Sequence, residues 1–366
     1  MPLHIRKIRK ALEGIKEYVP GKNIEDAASR YGIDERDIIK LSSNENPYPP
    51  SRRVIEAIKS SAGKINFYPD PNTKKLYGVI SGYTGLPEEN VFVGAGVDGV
   101  LDTLMRVFIE AGEEVIIPIP TFSYYEITSI VHGAIPLFLK MDDNFSIFSD
   151  EILKKADREK AKMTIICSPN NPTGNIFPKK ELIKILDAFD GIVLLDEAYA
   201  EFSNYTYIDL VDQYDNLIVL RTLSKAFGIA GMRVGYALLP EWIKKACLKV
   251  ATPFSIGYLS IEAAYASLND LEYLRCVVDK IKKGRRYLED NIPFKTFPSE
   301  ANFVLVDVSP LESSFAMEEL MKKGLIVRDC SSFRGIGKNF IRISVGREED
   351  NRRVVDALKE IFEELH

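Results

Sequence analysis

The chain has 366 residues, which at roughly 150 residues per domain allows two or three domains and a large buried core. Hydrophobic residues make up 46% and charged residues 28%, ordinary globular usage that disfavours disordered, collagen-like and coiled-coil classes. The net charge of -5, from 48 basic and 53 acidic residues with no long block of either sign, argues against a nucleic-acid or membrane partner.

Leu3, Ile5, Ile8, Leu12, Ile15 and Val19 fall at helical spacing among basic residues, which predicts an amphipathic arm docked on the body or on a partner subunit. The first ten residues lack the apolar core of a secretory signal, and no run of about 18 apolar residues follows, so the expected location is the cytoplasm. From about residue 45 to 255, short apolar runs alternate with helical patterns; the strands are Val91–Val93, Val115–Ile119, Met163–Cys167, Ile192–Leu195, Leu217–Leu220 and Val234–Leu239. Near-continuous apolar strands separated by helices indicate a mostly parallel sheet covered on both faces, with functional groups at the carboxyl ends of the strands. After Tyr258 the pattern changes to a long helical stretch through about Leu288, strands near Phe303–Val308 and Phe340–Val345, and a last helix from about Arg347. That predicts an α/β protein with a smaller α+β domain.

The four cysteines have no CxxC spacing and read as reduced, mostly buried thiols. Of three histidines only His132 is interior, and it reads as a packed or surface residue; triad and multi-histidine metal chemistry are poor fits. Four motifs carry chemistry instead. Gly94-Ala-Gly96-Val-Asp98-Gly99 joins a strand to a helix, where the N–H groups of Gly96, Val97 and Asp98 can hold one phosphate. A dinucleotide is a poorer fit, because the next strand ends in Ile119-Pro120-Thr121-Phe122 with no acid for a ribose. A tight turn needing glycine is the bland alternative.

Ser168-Pro-Asn170-Asn171-Pro-Thr-Gly174 follows a strand as a rigid polar loop able to present an amide donor. Asp196-Glu-Ala-Tyr199 places a carboxylate directly at a strand end, where it needs a cationic partner. Arg221-Thr222-Leu-Ser224-Lys225, with Arg233 eight residues later, combines a lysine able to condense with an aldehyde and hydroxyl and guanidinium groups suited to a phosphate. Aldehyde, pyridinium nitrogen, phenolic oxygen and phosphate occur together in pyridoxal 5′-phosphate, and each has a matching residue. Phe122 or Tyr125 could stack on its ring.

These motifs, with Leu41-Ser-Ser-Asn44-Glu45-Asn46-Pro47-Tyr48, Phe67-Tyr68-Pro69-Asp70, Ala301-Asn302-Phe303, Gly324-Leu-Ile-Val-Arg328-Asp329 and Phe340-Ile-Arg342-Ile-Ser-Val-Gly346, resemble the fold-type I aminotransferases of class I and II, and among them the histidinol-phosphate aminotransferases. The resemblance implies a fold-type I PLP-dependent transferase with a large domain holding the cofactor. Its divisions are 1–40 (arm and part of the small domain), 41–257 (large domain) and 258–366 (small domain). It implies that Lys225 is the catalytic lysine, Asp196 the ring-nitrogen partner, and Asn171 and Tyr199 the ligands of the phenolic oxygen, with Tyr199 counted among the catalytic groups. Val97, Asp98, Thr222, Ser224 and Arg233 would hold the phosphate, with Tyr68 reaching it from the other subunit of a homodimer. Asn46, Arg328 and Arg342 would bind substrate, the arginines as an anion clamp. The ring-stacking position, often Tyr, is Phe122 here. The expected reaction passes an amino group from histidinol phosphate to 2-oxoglutarate; an aromatic amino-acid aminotransferase and a threonine-phosphate decarboxylase remain alternatives.

Overall fold

The computed structural model describes residues 9, 12, 15, 23–71 and 73–365. The expected N-terminal helix falls within residues 1–22, which lie outside the described residues apart from Arg9, Leu12 and Ile15. In chain order the elements are α1 (Ile24–Tyr31), β1 (Ile39–Leu41), α2 (Arg52–Ser61), α3 (Lys74–Thr84), β2 (Val91–Ala95), α4 (Gly96–Phe108), β3 (Glu114–Ile119), α5 (Tyr124–Val131), β4 (Ile135–Lys140), α6 (Ser149–Glu159), β5 (Met163–Cys167) and α7 (Lys179–Ala188). They continue with β6 (Ile192–Asp196), β7 (Leu217–Thr222), β8 (Val234–Leu238), α8 (Glu241–Val250), α9 (Tyr258–Leu268), α10 (Leu271–Asn291), β9 (Lys295–Phe297), β10 (Phe303–Asp307), α11 (Ser313–Lys322), β11 (Leu325–Asp329), β12 (Phe340–Ser344) and α12 (Glu348–Glu363).

Seven strands form one sheet in the order β2-β8-β7-β6-β5-β3-β4, and five form a second in the order β1-β11-β12-β10-β9. In the large sheet β4, β3, β5, β6 and β7 pair in parallel, and β8 runs antiparallel to both β7 and β2. The continuous apolar runs have a direct cause. Successive strand residues point to opposite faces, and both faces are buried. Phe92, Val115, Ile117, Leu194 and Ile218 enter one core, while their neighbours Val91, Val93, Ile116, Leu195 and Val219 enter the other, which extends into the small sheet through Phe303 and Ile343.

Among the described residues the expected strands and helices are present, with two kinds of difference. The predicted helix after Tyr258 is two helices, α9 and α10, broken at Asn269 and Asp270. β1, β4, β9 and β11 were not expected: β1 and β9 are three residues each, and β4 is an edge strand carrying Pro136, where proline in a short run argues against a strand except where one side needs no partner. Of the cysteines, Cys167, Cys247 and Cys330 are buried free thiols and Cys276 is exposed.

Candidate active site

The carboxyl ends of the parallel strands and the start of the antiparallel β8 meet at one rim of the large sheet, and the small sheet closes over it. Between them lies a cavity of about 280 Å3. Val97 and Asp98 come from the first turn of α4, Phe122 follows β3, Asn171 follows β5, Asp196 ends β6, Thr222 ends β7, and Ser224 and Lys225 follow it. Arg233 sits at the start of β8, and Arg328 and Arg342 enter from β11 and β12. Residues up to 300 positions apart in sequence thus share one space: the parallel strands put their following loops on one edge, and the small sheet supplies the facing groups.

Asp196 is 4% exposed. Its Oδ1 accepts from the Ala198 N–H at 2.9 Å and its Oδ2 from the Tyr125 hydroxyl at 2.6 Å, both neutral donors. Burial pushes its carboxyl up to about 6, and the nearby Asp98 and Glu197 charges act in the same direction. A buried carboxylate held only by neutral groups is stabilised when a cation fills the space beside it. Tyr125, one of two stacking candidates from the sequence, is instead spoken for by this bond; its ring meets Phe122 edge-on with centroids 5.5 Å apart, which leaves Phe122 as the aromatic face of the cavity.

Lys225 donates from Nζ to the Ser43 carbonyl at 3.2 Å. Burial, and then the positive charge of Arg342, pull its ammonium down to about 8, so an appreciable fraction is the nucleophilic amine near neutral pH. The buried Tyr199 hydroxyl accepts from Asn44 Nδ2 at 3.0 Å, and burial raises its pKa. Arg342 Nη1 donates to Asn171 Oδ1, which turns that side chain so that its amide nitrogen is the donor left for a ligand.

The phosphate-sized corner is built on close backbone approach. Gly96 opens α4 at φ 75°, and a side-chain carbon on Gly235 of β8 would lie 2.4 Å from the Gly96–Val97 peptide. Arg233 Nη2 bonds Asp98 Oδ2 at 3.1 Å, and the Thr222 Oγ1 accepts from the Ser224 N–H at 3.1 Å. Hydroxyls, a guanidinium and a helix N-terminus converge there, a combination suited to a dianion. A ligand carrying a cationic ring nitrogen at one end, a phosphate at the other and an aldehyde near Lys225 fits these groups.

Opposite this corner, β11 and β12 place Arg328 and Arg342 directly across from each other, both buried. Arg328 donates to Ser332 Oγ at 3.1 Å and lies 5.4 Å from the Phe333 ring centre; Arg342 Nη2 donates to the Ser42 carbonyl at 2.7 Å. Two like charges side by side repel unless an anion joins them.

Asn46, expected in the site, lies outside this cavity, as does Tyr68, which was expected at the other subunit's site. Asn46 donates to the Ala226 carbonyl at 3.0 Å and braces the Lys225 loop from its other side. Asn44 takes the place in the cavity, because it adopts φ 53° and the turn there removes the shared face that two residues of extended chain would have. Tyr68 is 80% exposed and stacks on Phe254 with centroids 4.6 Å apart. The sequence also missed Tyr125 as a partner of Asp196 and Phe333 as a wall. His132 pairs with Asp102 at 2.8 Å, away from the cavity.

The profile of the family described as aminotransferase class I and II matches residues 36–358. A histidinol-phosphate aminotransferase of Methanosarcina mazei is 48% identical over 353 residues, covering 96% of each chain. Another of that name, from Methanosarcina barkeri, is 46% identical over 98% of each chain. Among solved structures, the histidinol-phosphate aminotransferase of Sinorhizobium meliloti in complex with pyridoxal 5′-phosphate superposes with a TM-score of 0.87 at 26% identity, covering 98% of each chain.

Proposed function

The chain belongs to the class I and II aminotransferases, and we propose that it transfers the amino group of histidinol phosphate to 2-oxoglutarate, giving imidazole acetol phosphate and glutamate in histidine biosynthesis. The observation that carries the chemistry is the buried Asp196, held by neutral donors alone, in one cavity with the depressed amine of Lys225. The full-length relatives and the facing Arg328 and Arg342 support the phosphorylated donor.

The cofactor is pyridoxal 5′-phosphate, whose protonated ring, when bound, takes up the electron pair released at the donor carbon. Asp196 keeps the proton on the ring nitrogen. Asn171 Nδ2 and the Tyr199 hydroxyl hold the phenolic oxygen, Phe122 covers the ring, and Val97, Asp98, Thr222, Ser224 and Arg233 hold the phosphate. Lys225 Nζ, released from the cofactor aldehyde when the donor amine arrives, carries a proton from the donor's amine-bearing carbon to the cofactor's aldehyde carbon. In the second half-reaction the same residues run in reverse on the 2-oxo acid. Arg342 and Arg328 hold the phosphate of one substrate and a carboxylate of the other, so that one anion site serves both halves.

The reading includes a homodimer in which Tyr68 reaches the partner's phosphate corner, a role for which its exposed position outside its own chain's cavity is suited. It also includes the division of the chain at 40/41 and 257/258 into a large cofactor-holding and a small domain. A cytoplasmic location goes with it; no described helix is long and apolar enough to cross a membrane. The test is a half-reaction: histidinol phosphate, phenylalanine, tyrosine, aspartate and threonine phosphate are added singly to holoenzyme without a 2-oxo acid. Histidinol phosphate is expected to bleach the visible absorbance of the bound cofactor at the lowest concentration. Preferential bleaching by phenylalanine or tyrosine would replace this donor, and release of carbon dioxide from threonine phosphate would replace the reaction.

A further inference from the structure

Two residues of the cofactor motifs are absorbed by none of these roles: Glu197, which follows Asp196, and Arg221, which precedes Thr222. Alternation along the strand turns them to the face away from the cavity. Because β6 and β7 are parallel neighbours with Asp196 opposite Leu220, Glu197 and Arg221 lie side by side. Both are buried, at 1% and 5% exposure. Arg221 donates from Nε to Glu197 Oε2 at 2.9 Å, from Nη1 to Glu201 Oε1 at 2.8 Å and from Nη2 to Thr206 Oγ1 at 2.7 Å, while Nη2 also lies 2.8 Å from Glu197 Oε2.

The two glutamates are not equivalent. Glu197 has donors on both oxygens, with the Tyr207 N–H on Oε1 at 2.7 Å and the Thr206 hydroxyl on Oε2 at 3.0 Å in addition to Arg221. Glu201 has Arg221 and, at 3.4 Å, the Tyr83 hydroxyl on Oε1, while its Oε2 is buried with no partner among the described residues. One guanidinium between two ionised carboxylates would leave a net negative charge out of water, which is costly; one proton makes the cluster neutral. Burial raises Glu201 above its usual range by more than Arg221 offsets. The other groups facing it, the Tyr83 and Tyr236 hydroxyls, are themselves held neutral by burial, and Arg285 of the adjoining α10 donates to the Phe202 and Ala301 carbonyls instead.

We propose that Arg221 is a positioning residue of the cofactor site, locking the end of β6, with Asp196 and Tyr199, to the end of β7, with Thr222, Ser224 and Lys225, through the carboxylate of Glu197 and a proton-bearing Glu201. The proposal rests on the reading of the cavity as the cofactor site. Its physical content is spacing. Asp196 and the phosphate corner grip opposite ends of one rigid ligand, and the clamp sets their separation from behind the sheet, as supporting groups do for other preorganised sites.

The test uses apoenzyme and holoenzyme of wild type, Arg221→Met, Arg221→Lys, Glu197→Gln and Glu201→Gln. The readouts are the dissociation constant for pyridoxal 5′-phosphate by equilibrium dialysis, thermal unfolding of the apoenzyme, the pH dependence of the bound cofactor's absorbance, and kcat with KM for the donor. Arg221→Met and Glu197→Gln should weaken cofactor binding about 10–100-fold, shift the absorbance titration and lower kcat by a similar factor with donor KM nearly unchanged. Arg221→Lys should recover part of each loss, because it restores the charge without the fork. Glu201→Gln, an isostere of the protonated acid, should stay within about twofold of wild type in every readout.

If Glu201→Gln is as damaging as Glu197→Gln, the neutral-acid assignment is wrong. If Arg221→Met and Glu197→Gln unfold earlier yet bind cofactor with wild-type affinity and titration, Arg221 supports the fold and does not position the site. Should Arg221→Met fail to fold, Arg221→Lys and Glu197→Gln decide by the same criteria. Wild-type apoenzyme that binds no pyridoxal 5′-phosphate overturns the cavity reading itself, a result distinguishable from loss of the clamp alone.

Discussion

At the rim of the large sheet the ends of β2, β5, β6 and β7 deliver polar groups to the cavity, and among them Asp196 is a buried acid held by neutral donors. On the small sheet two adjacent strands bring Arg328 and Arg342 into register, so two buried bases stand together. One region is completed by a cation and the other by an anion. A ligand of matching charge stabilises each arrangement, which is the reason the two regions suit opposite ends of a ligand. The contrast with Arg221 is instructive: its charge is compensated on the spot by Glu197, and it faces no cavity. Buried charge matched by an ion-pair partner away from the cavity supports the protein; buried charges of one sign gathered at a cavity wall suit a ligand of the opposite sign.

The largest expected effect tests the rim. Lys225→Ala should lower turnover at least about 10³-fold, since a positioned proton carrier and nucleophile is removed together. The cofactor should still bind, and borohydride should attach it to wild type alone; attachment to another lysine moves the site. In wild type the rate at which apoenzyme takes up cofactor covalently should rise with pH and level off above about 8, where the Lys225 amine is deprotonated. A rate that is flat from pH 6 to 9 contradicts that environment.

Next in size, Asp196→Asn should lower kcat by about 10²-fold or more, because an amide cannot hold the ring nitrogen protonated. Its effect on the apoenzyme should be of the opposite kind. The folded carboxyl, raised to about 6, binds a proton more tightly than the unfolded one, so the stability this group contributes is present at low pH and is lost as pH rises toward 6. The apoenzyme of the variant should lack that fall, and by pH 7 should unfold no lower than wild-type apoenzyme. A strongly destabilised variant would mean that Asp196 is chiefly structural.

The small sheet is tested by Arg342→Ala, expected to raise KM for both histidinol phosphate and 2-oxoglutarate by roughly 10–150-fold, equivalent to about 1.5–3 kcal/mol for a charge-assisted contact. An effect on only one substrate would require separate anion sites. Smallest is Tyr68→Phe, which removes one hydroxyl and should weaken cofactor retention several-fold, on the order of 1 kcal/mol. Sedimentation should give twice the chain mass. Unchanged retention would return Tyr68 to a surface ring on Phe254.

Much of the rim was legible because its residues lie in contiguous runs at the ends of recognisable strands: Asp196 straight after Ile192-Val-Leu-Leu195, Thr222 at the end of β7, and Ser224 and Lys225 just after it. An apolar run with both faces buried declares a parallel strand, and a parallel strand declares which end is functional. The small sheet was less legible. β1, β9 and β11 are short or lie apart in sequence, and nothing local states that position 328 will face position 342; that depends on antiparallel register.

Side-chain direction also had to await the fold. Tyr125 and Phe122 are equally good ring-stackers in a linear reading and both line the cavity, but the hydroxyl of Tyr125 is bonded to Asp196 and its ring meets Phe122 edge-on. Asn44 lines the cavity where Asn46 was expected, because Asn44 is itself left-handed and bends the chain there. Residue type and local order set the strands, their functional end and the chemistry available there, since these depend on neighbours in the chain. Which group meets which, and which buried charge is answered by another, depends on strand register and loop conformation, and these are settled only when segments remote in sequence pack together.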